Sequence, residues 1–335
     1  MCWRDNVQTT RNCLLCGQNY FGDLGHRNCP ARKKEPTMTE SLMPLDVGAG
    51  YCRELEGPQG LRELVRTPVS SITVGSYTLE SRPGNTGDVY SPSPRGTLNA
   101  LNMPNRGFAW LLGELPEMIR ITRAADKELT VSVAGFTPEE NAFMVTEVLK
   151  RGVRVEVNWG CPNAGHDVIS LDLGLVEKHL RAMSDKLLES HVGEKTSIMF
   201  KLSPHPSKSF RKALLHLIVK SHLGDGIVVC NTFPDGVGFS ENGSPRINAV
   251  NPGGAKVMTG GVSGVLPIAL GQVYSYRQLL SELNEPYFEI VGVGGITCGH
   301  DVRQFRLAGA DRVQIVTALH DRGPRVFQEI LQELV

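Results

Sequence analysis

A cysteine set among amides follows the alternating run Val153 to Val157, in Asn158-Trp159-Gly160-Cys161-Pro162-Asn163. Alternation of apolar and polar residues is the pattern of a strand, so the cluster sits where a strand ends. Lys201 interrupts the apolar run Met199-Phe200-Lys201-Leu202, and Asn231-Thr232 follow another β-branched run. Asn99, Leu101, Asn102 and Met103 belong to a segment too rich in amides to be plain core, Leu98-Asn99-Ala100-Leu101-Asn102-Met103-Pro104-Asn105. Amides donate and accept along the edge of a planar, imide-like ligand, and a thiol beside them acts as a base or a nucleophile. No histidine stands at a strand end to activate that thiol as a hydrolase requires, which favours proton transfer over acyl transfer. Two blander readings stand alongside. Cys161 is an inert buried thiol in one. In the other, Lys201 is a scaffold cation paired with a carboxylate, because burying an unpaired ammonium is costly; the functional reading has Lys201 stabilise negative charge on a reduced cofactor ring.

Bringing these groups together requires strand ends that converge. Short β-branched runs alternate with helical periodicity: Ser71 to Val74, Thr130 to Val133, Val153 to Val157, Ser197 to Lys201, Gly226 to Cys230, Phe288 to Gly292 and Arg312 to Val316. Thr137-Pro138-Glu139-Glu140 opens the clearest helix, with a capping hydroxyl, proline at the first position and a glutamate placed for a capping box, running to about Arg151. Further helices are predicted over Leu173 to Ser190, Phe210 to His222, Tyr274 to Leu283, His300 to Ala308 and Pro324 to Leu334. Such alternation implies a parallel sheet, doubly wound or closed. Glycine placement separates the two. The early Gly48-Ala49-Gly50 lacks the setting of a dinucleotide fingerprint. Gly260 to Gly264, Gly292 to Gly295 and the turn at Thr317-Ala318 come late, where a TIM barrel builds its phosphate site. The sequence therefore predicts an α/β chain folded as a (β/α)8 TIM barrel, holding a phosphorylated cofactor at its top face.

The 335 residues are 41% hydrophobic and 21% charged, and 35 basic side chains balance 35 acidic ones. This composition builds a large core and gives no general electrostatic reason to expect nucleic acid or an anionic membrane as a partner. No apolar run reaches the roughly 18 residues of a spanning helix and no signal-like stretch opens the chain, so a cytoplasmic location with reduced thiols is expected. Residues 1–40 read as a short N-terminal appendage and 41–335 as the barrel. Four of the eight cysteines fall in the appendage, beside the basic run Arg32-Lys33-Lys34. Cys13, Cys16, His26 and Cys29 offer a tetrahedral zinc set, spaced as a zinc knuckle with a stretched first loop and a shortened second. The alternatives are a disordered leader or a true start at Met38 or Met43.

Taken in order, several motifs resemble the dihydroorotate dehydrogenase family, especially its soluble, cysteine-using class. They are Thr78 to Asn85, the loop from Leu98 to Phe108, Ser132 to Phe136, Asn158 to Asn163, Phe200-Lys201-Leu202, Asn231-Thr232, Gly260 to Gly264, Gly292 to Ile296, and Gln314 to Leu319. The resemblance runs from about Pro44 to Val335 and implies an FMN-binding barrel that oxidises dihydroorotate to orotate. By that analogy Cys161 removes a proton from the ring carbon beside the carbonyl while a hydride leaves the neighbouring carbon for flavin N5. Asn99, Asn158, Asn163, Asn231 and Thr232 would hold the pyrimidine and its carboxylate, against the loop carrying Leu101, Asn102 and Met103. Lys201 would sit at the flavin N1/O2 edge, with Gly48, Ala49, Gly50, Gly75 and Ser76 close to the flavin. Gly261, Gly294, Gly295, Val316 and Thr317 would contact the phosphate through their backbone. The resemblance further implies a homodimer and fumarate, or NAD through a partner subunit, as electron acceptor.

This sequence departs from that class at three positions. Gly75 stands where the soluble class has a lysine; the membrane class also has glycine there and takes its lysine from the first barrel loop, where this chain has Arg53. Asn102 and Val316 each replace a usual glycine. Three other readings are open at this point: a flavin reductase for another dihydropyrimidine, a tRNA dihydrouridine synthase, whose own motif resembles Asn158 to Pro162, and a flavin-binding scaffold whose zinc knuckle contacts RNA.

Overall fold

The computed structural model describes residues 42–51, 57–93, 96–162, 167–192 and 197–335, together with the paired strands Thr10–Asn12 and Asn19–Phe21. The zinc set Cys13, Cys16, His26 and Cys29 lies outside the described residues, as do Arg53 and Asn163. Among the described residues no group of three or more histidines, cysteines or carboxylates is arranged to hold a metal ion.

Eight parallel strands close into a barrel in chain order: β1 Leu45–Val47, β2 Ser71–Tyr77, β3 Glu128–Val133, β4 Arg154–Asn158, β5 Ile198–Leu202, β6 Gly226–Val229, β7 Glu289–Val293 and β8 Arg312–Ile315. Closure is made by β8 against β1, with Gln314 opposite Asp46. Helices pack outside: α1 Pro58–Leu64, α2 Phe108–Ala124, α3 Pro138–Leu149, α4 Leu173–Glu189, α5 Lys208–Ser221, α6 Leu266–Glu282, α7 Gly299–Ala308, α8 Thr317–Arg322 and α9 Val326–Leu334. Side chains alternate along each strand, so Val155, Val157, Ile198 and Phe200 join the fully buried core and the residues between them face the bore.

The bore is divided. Met199, Val228, Val291 and Val293 form an apolar cluster, while buried Thr73, Ser132, Glu156 and Gln314 hydrogen-bond to one another across β2, β3, β4 and β8. Beneath them an ion cluster closes the floor. Arg312 grips buried Asp46 with two bonds of 2.8 Å and meets Glu128 at 3.2 Å, while Arg154 bridges Glu128 and Glu289. Burial pushes the Asp46 carboxyl above its ordinary range and Arg312 pulls it back.

The predicted strands are present with ends shifted by a few residues, and β1 was not predicted at all; its three residues are too short for a period. Three helices, α1, α2 and α8, are also absent from the sequence reading. In α2, Gly113 and Pro116 interrupt the propensity, yet buried Phe108, Leu111, Leu115, Met118 and Ile121 recur at helical spacing. The helix predicted from Tyr274 begins at Leu266, with a proline in its first turn. The predicted terminal helix is preceded by the separate α8.

Two antiparallel sheets, neither anticipated, come from insertions after β2 and β6. One orders Phe233–Gly236, Gly260–Ser263, Thr97–Asn99 and Tyr90–Ser91, and the other Lys256–Val257, Asn248–Val250 and Thr86–Asp88. The first pairs Asn99 with Gly261 and carries Asn99 to the mouth of the barrel.

Candidate active site

Every barrel strand except β3 contributes its C-terminal end or following loop to one cavity of about 220 Å³. Its lining brings together Cys161, Lys201, Asn99, Leu101, Asn102, Met103, Asn158, Asn231 and Thr232 with Ala49, Gly50, Gly75, Ser76, Gly294, Gly295, Val316 and Thr317. Gly48 and Gly261 stand behind this lining. Gly48 donates its N–H to Ile315 O at 3.2 Å, and Gly261 O accepts from Asn99 Nδ2 at 3.2 Å.

The amides are organised before any ligand arrives. Asn231 Nδ2 donates to Asn158 Oδ1 at 2.9 Å, and Asn158 Nδ2 donates to Ser76 Oγ at 2.8 Å. Ser76 Oγ meets Ser132 Oγ at 2.8 Å, which donates to Glu156 Oε1 at 2.9 Å. Lys201, at the end of β5, lies with its Nζ 3.5 Å from the same Glu156 oxygen, both side chains almost wholly buried. The carboxylate partner considered for Lys201 is therefore present, and the lysine still lines the cavity. Cys161 is half-buried at the rim. Cys230 also lines the cavity, but burial pushes its thiol up to about 12.

Across the mouth, Asn105 ties the amide-rich loop to the chain after β2. Its Oδ1 accepts from the N–H groups of Thr78 and Gly107, and its Nδ2 donates to Met103 O and Thr78 Oγ1. The dihydroorotate dehydrogenase profile matches residues 43–335. The chain belongs to that family. Dihydroorotate dehydrogenases are oxidoreductases acting on CH–CH bonds. A Streptococcus pyogenes serotype M3 protein, provisionally named dihydroorotate dehydrogenase A (fumarate), is 28% identical over 305 residues and covers 87% of both chains. The Pyrococcus furiosus dihydroorotate dehydrogenase B (NAD(+)), catalytic subunit, is 31% identical over 277 residues, covering 82% of this chain and 83% of its own. A crystal structure of the Eimeria tenella enzyme in complex with ferulenol superposes with a TM-score of 0.70 at 18% identity, covering 87% of this chain and 80% of that one. That last likeness concerns the fold.

The three departures from the dihydroorotate dehydrogenase pattern have physical causes. Gly75 has φ +100°, and a Cβ there would lie 2.5 Å from Ser132 O, so this backbone has no room for a lysine. Asn102 has φ +61°, a left-handed conformation that asparagine tolerates better than most residues, and Arg82 holds both its Oδ1 and its carbonyl. Val316 fills space left by Gly48, where a Cβ would come within 2.6 Å of Val316 Cγ2.

Glu156, Gln314 and Asn105 are given no site role by the sequence. Glu156 carried a signal, because Arg154, Glu156 and Asn158 form the polar half of the alternating β4. Asn105 carried none beyond lying in an amide-rich loop.

Proposed function

We propose that the chain binds FMN in this cavity and oxidises (S)-dihydroorotate to orotate, a step of de novo pyrimidine (UMP) biosynthesis. The observation that carries the reading is a half-buried Cys161 facing the same cavity as the cross-bonded Asn158 and Asn231 and the buried Lys201. The lining also suits FMN. Gln314 Oε1 is buried without a hydrogen-bond partner among the described residues, an acceptor that needs a donor from a ligand. Gly294 and Gly295, at φ +126° and +79°, present bare backbone at the rim.

Bound FMN supplies the hydride acceptor. Cys161 Sγ takes the proton from the carbon beside the ring carbonyl. Arg82 favours that base: burial lowers its guanidinium from its ordinary value, and the nearby Cys161 charge acts in the opposite direction. By reciprocity the guanidinium stabilises the thiolate. Cys230 is unsuited to the role, since its thiol stays protonated far above neutral pH. Asn158, Asn231, Asn99 and Thr232 orient the pyrimidine, and the loop of Leu101, Asn102 and Met103 closes over it. Lys201 offsets negative charge at the cavity floor.

Fumarate, named for the streptococcal relative, is the first electron acceptor to test, and NAD(+), named for the archaeal one, the second. Among the described residues no helix is long and apolar enough to cross a membrane. A cytoplasmic homodimer, with residues 1–40 appended to the barrel, fits this reading. The test is to load the protein with FMN, remove free flavin, and supply (S)-dihydroorotate with each acceptor in turn. Orotate formation is expected, whereas a loaded protein that makes none with either acceptor would argue for another dihydropyrimidine.

A further inference from the structure

Glu156 is fully buried in mid-bore, where an ionised carboxylate survives only with a counter-charge and hydrogen bonds. The hydrogen bonds are present: Ser132 Oγ donates to Oε1 at 2.9 Å, and Gln314 Nε2 donates to Oε2 at 3.1 Å. The counter-charge is Lys201, whose Nζ lies 3.5 Å from Oε1. Among the described residues no other cation lies within ion-pairing distance of Glu156. Between the cavity and the ion cluster, the bore therefore carries one buried ion pair, Glu156 and Lys201, and Gln314 links that pair to the lining.

We propose that Glu156 is a positioning residue that tethers the Lys201 ammonium and sets how strongly the floor attracts negative charge. The inference rests on the FMN reading above. In this arrangement Lys201 offers the cavity only part of its charge, because Glu156 offsets the rest at close range in a low-dielectric bore. Removing the negative charge while keeping the shape should then make bound FMN easier to reduce. An effect on scaffold alone would change stability and leave the potential where it was.

The experiment is an anaerobic dye-equilibration titration of the FMN-loaded protein, giving the midpoint potential for wild type, Glu156→Gln, Glu156→Asp and Lys201→Met. The equilibrium constant for reducing bound FMN should rise roughly tenfold in Glu156→Gln, about 30 mV for a two-electron couple. It should stay near wild type in Glu156→Asp and fall in Lys201→Met. If Glu156→Gln does not fold, the doubly substituted Glu156→Gln, Lys201→Met protein leaves no unpaired buried charge, and its potential should lie above that of Lys201→Met alone. An unchanged or lowered potential in Glu156→Gln, or a double variant no higher than Lys201→Met, overturns the inference and leaves the FMN reading standing. A wild-type chain that takes up no FMN overturns both.

Discussion

Cys161 and Cys230 line the same cavity, but only the first is partly exposed. Cys230 is buried, and desolvation lifts its thiol from 9.0 to about 12, with the Lys201 charge opposing the shift only in part. The sign is that of an acid held neutral by the fold. Its contribution to stability is complete below pH about 9 and is lost as the pH rises toward about 12, because the unfolded chain releases the proton first. Cys230→Val should therefore gain stability on wild type as pH is raised through that window, in paired denaturant melts; a constant difference would show no such linkage. Gly75 makes a steric prediction. Gly75→Ala puts a Cβ against Ser132 O at a positive φ, and it should cost about 1–3 kcal/mol of unfolding free energy. An unchanged melt would mean the strand end relaxes freely. Cys161, Lys201, Asn158 and Asn231 were legible in the sequence because thiols, amides and a lysine are uncommon at the ends of apolar strands. Glu156 was not singled out, since an alternating strand does not declare which face turns inward until the barrel closes.

Element by element, the helix at Thr137 was the most readable. The Thr137 hydroxyl accepts from Glu140 N at 3.2 Å, and the Glu140 carboxylate reaches back to Phe136 N at 2.7 Å. Local chemistry of that kind needs no tertiary knowledge. By contrast α2 is held by the face it buries, and the antiparallel sheets over the mouth join segments more than 150 residues apart, as in the 162-residue separation of Asn99 and Gly261. The loop from Leu98 to Phe108 depends on Asn105, which makes several bonds that no other side chain replaces. Asn105→Ala should cost about 1–3 kcal/mol for each buried partner left unsatisfied and should raise the KM for dihydroorotate more than it lowers kcat. A melt and a KM both at wild-type values would show that the loop is held elsewhere.

At the scale of the molecule, the barrel separates stability from chemistry, with the ion cluster at the N-terminal ends of the strands and the amides, thiol and lysine at the other. Arg312 is the member of the cluster that touches most partners. Arg312→Ala leaves buried Asp46 without its cation and should destabilise the protein by about 3–5 kcal/mol, with the FMN site unaltered in the fraction that remains folded. Urea melts and flavin retention separate the two effects, and loss of FMN without loss of stability would contradict this division. The central claim is that Cys161 is the base in an FMN-dependent oxidation, and its most direct test is anaerobic stopped-flow mixing of the loaded protein with (S)-dihydroorotate. The flavin absorbance of wild type should bleach rapidly, while Cys161→Ala should retain FMN and bleach about 10²–10⁴ times more slowly. Equal rates in the two proteins, or a loaded wild type whose absorbance does not change, would contradict it.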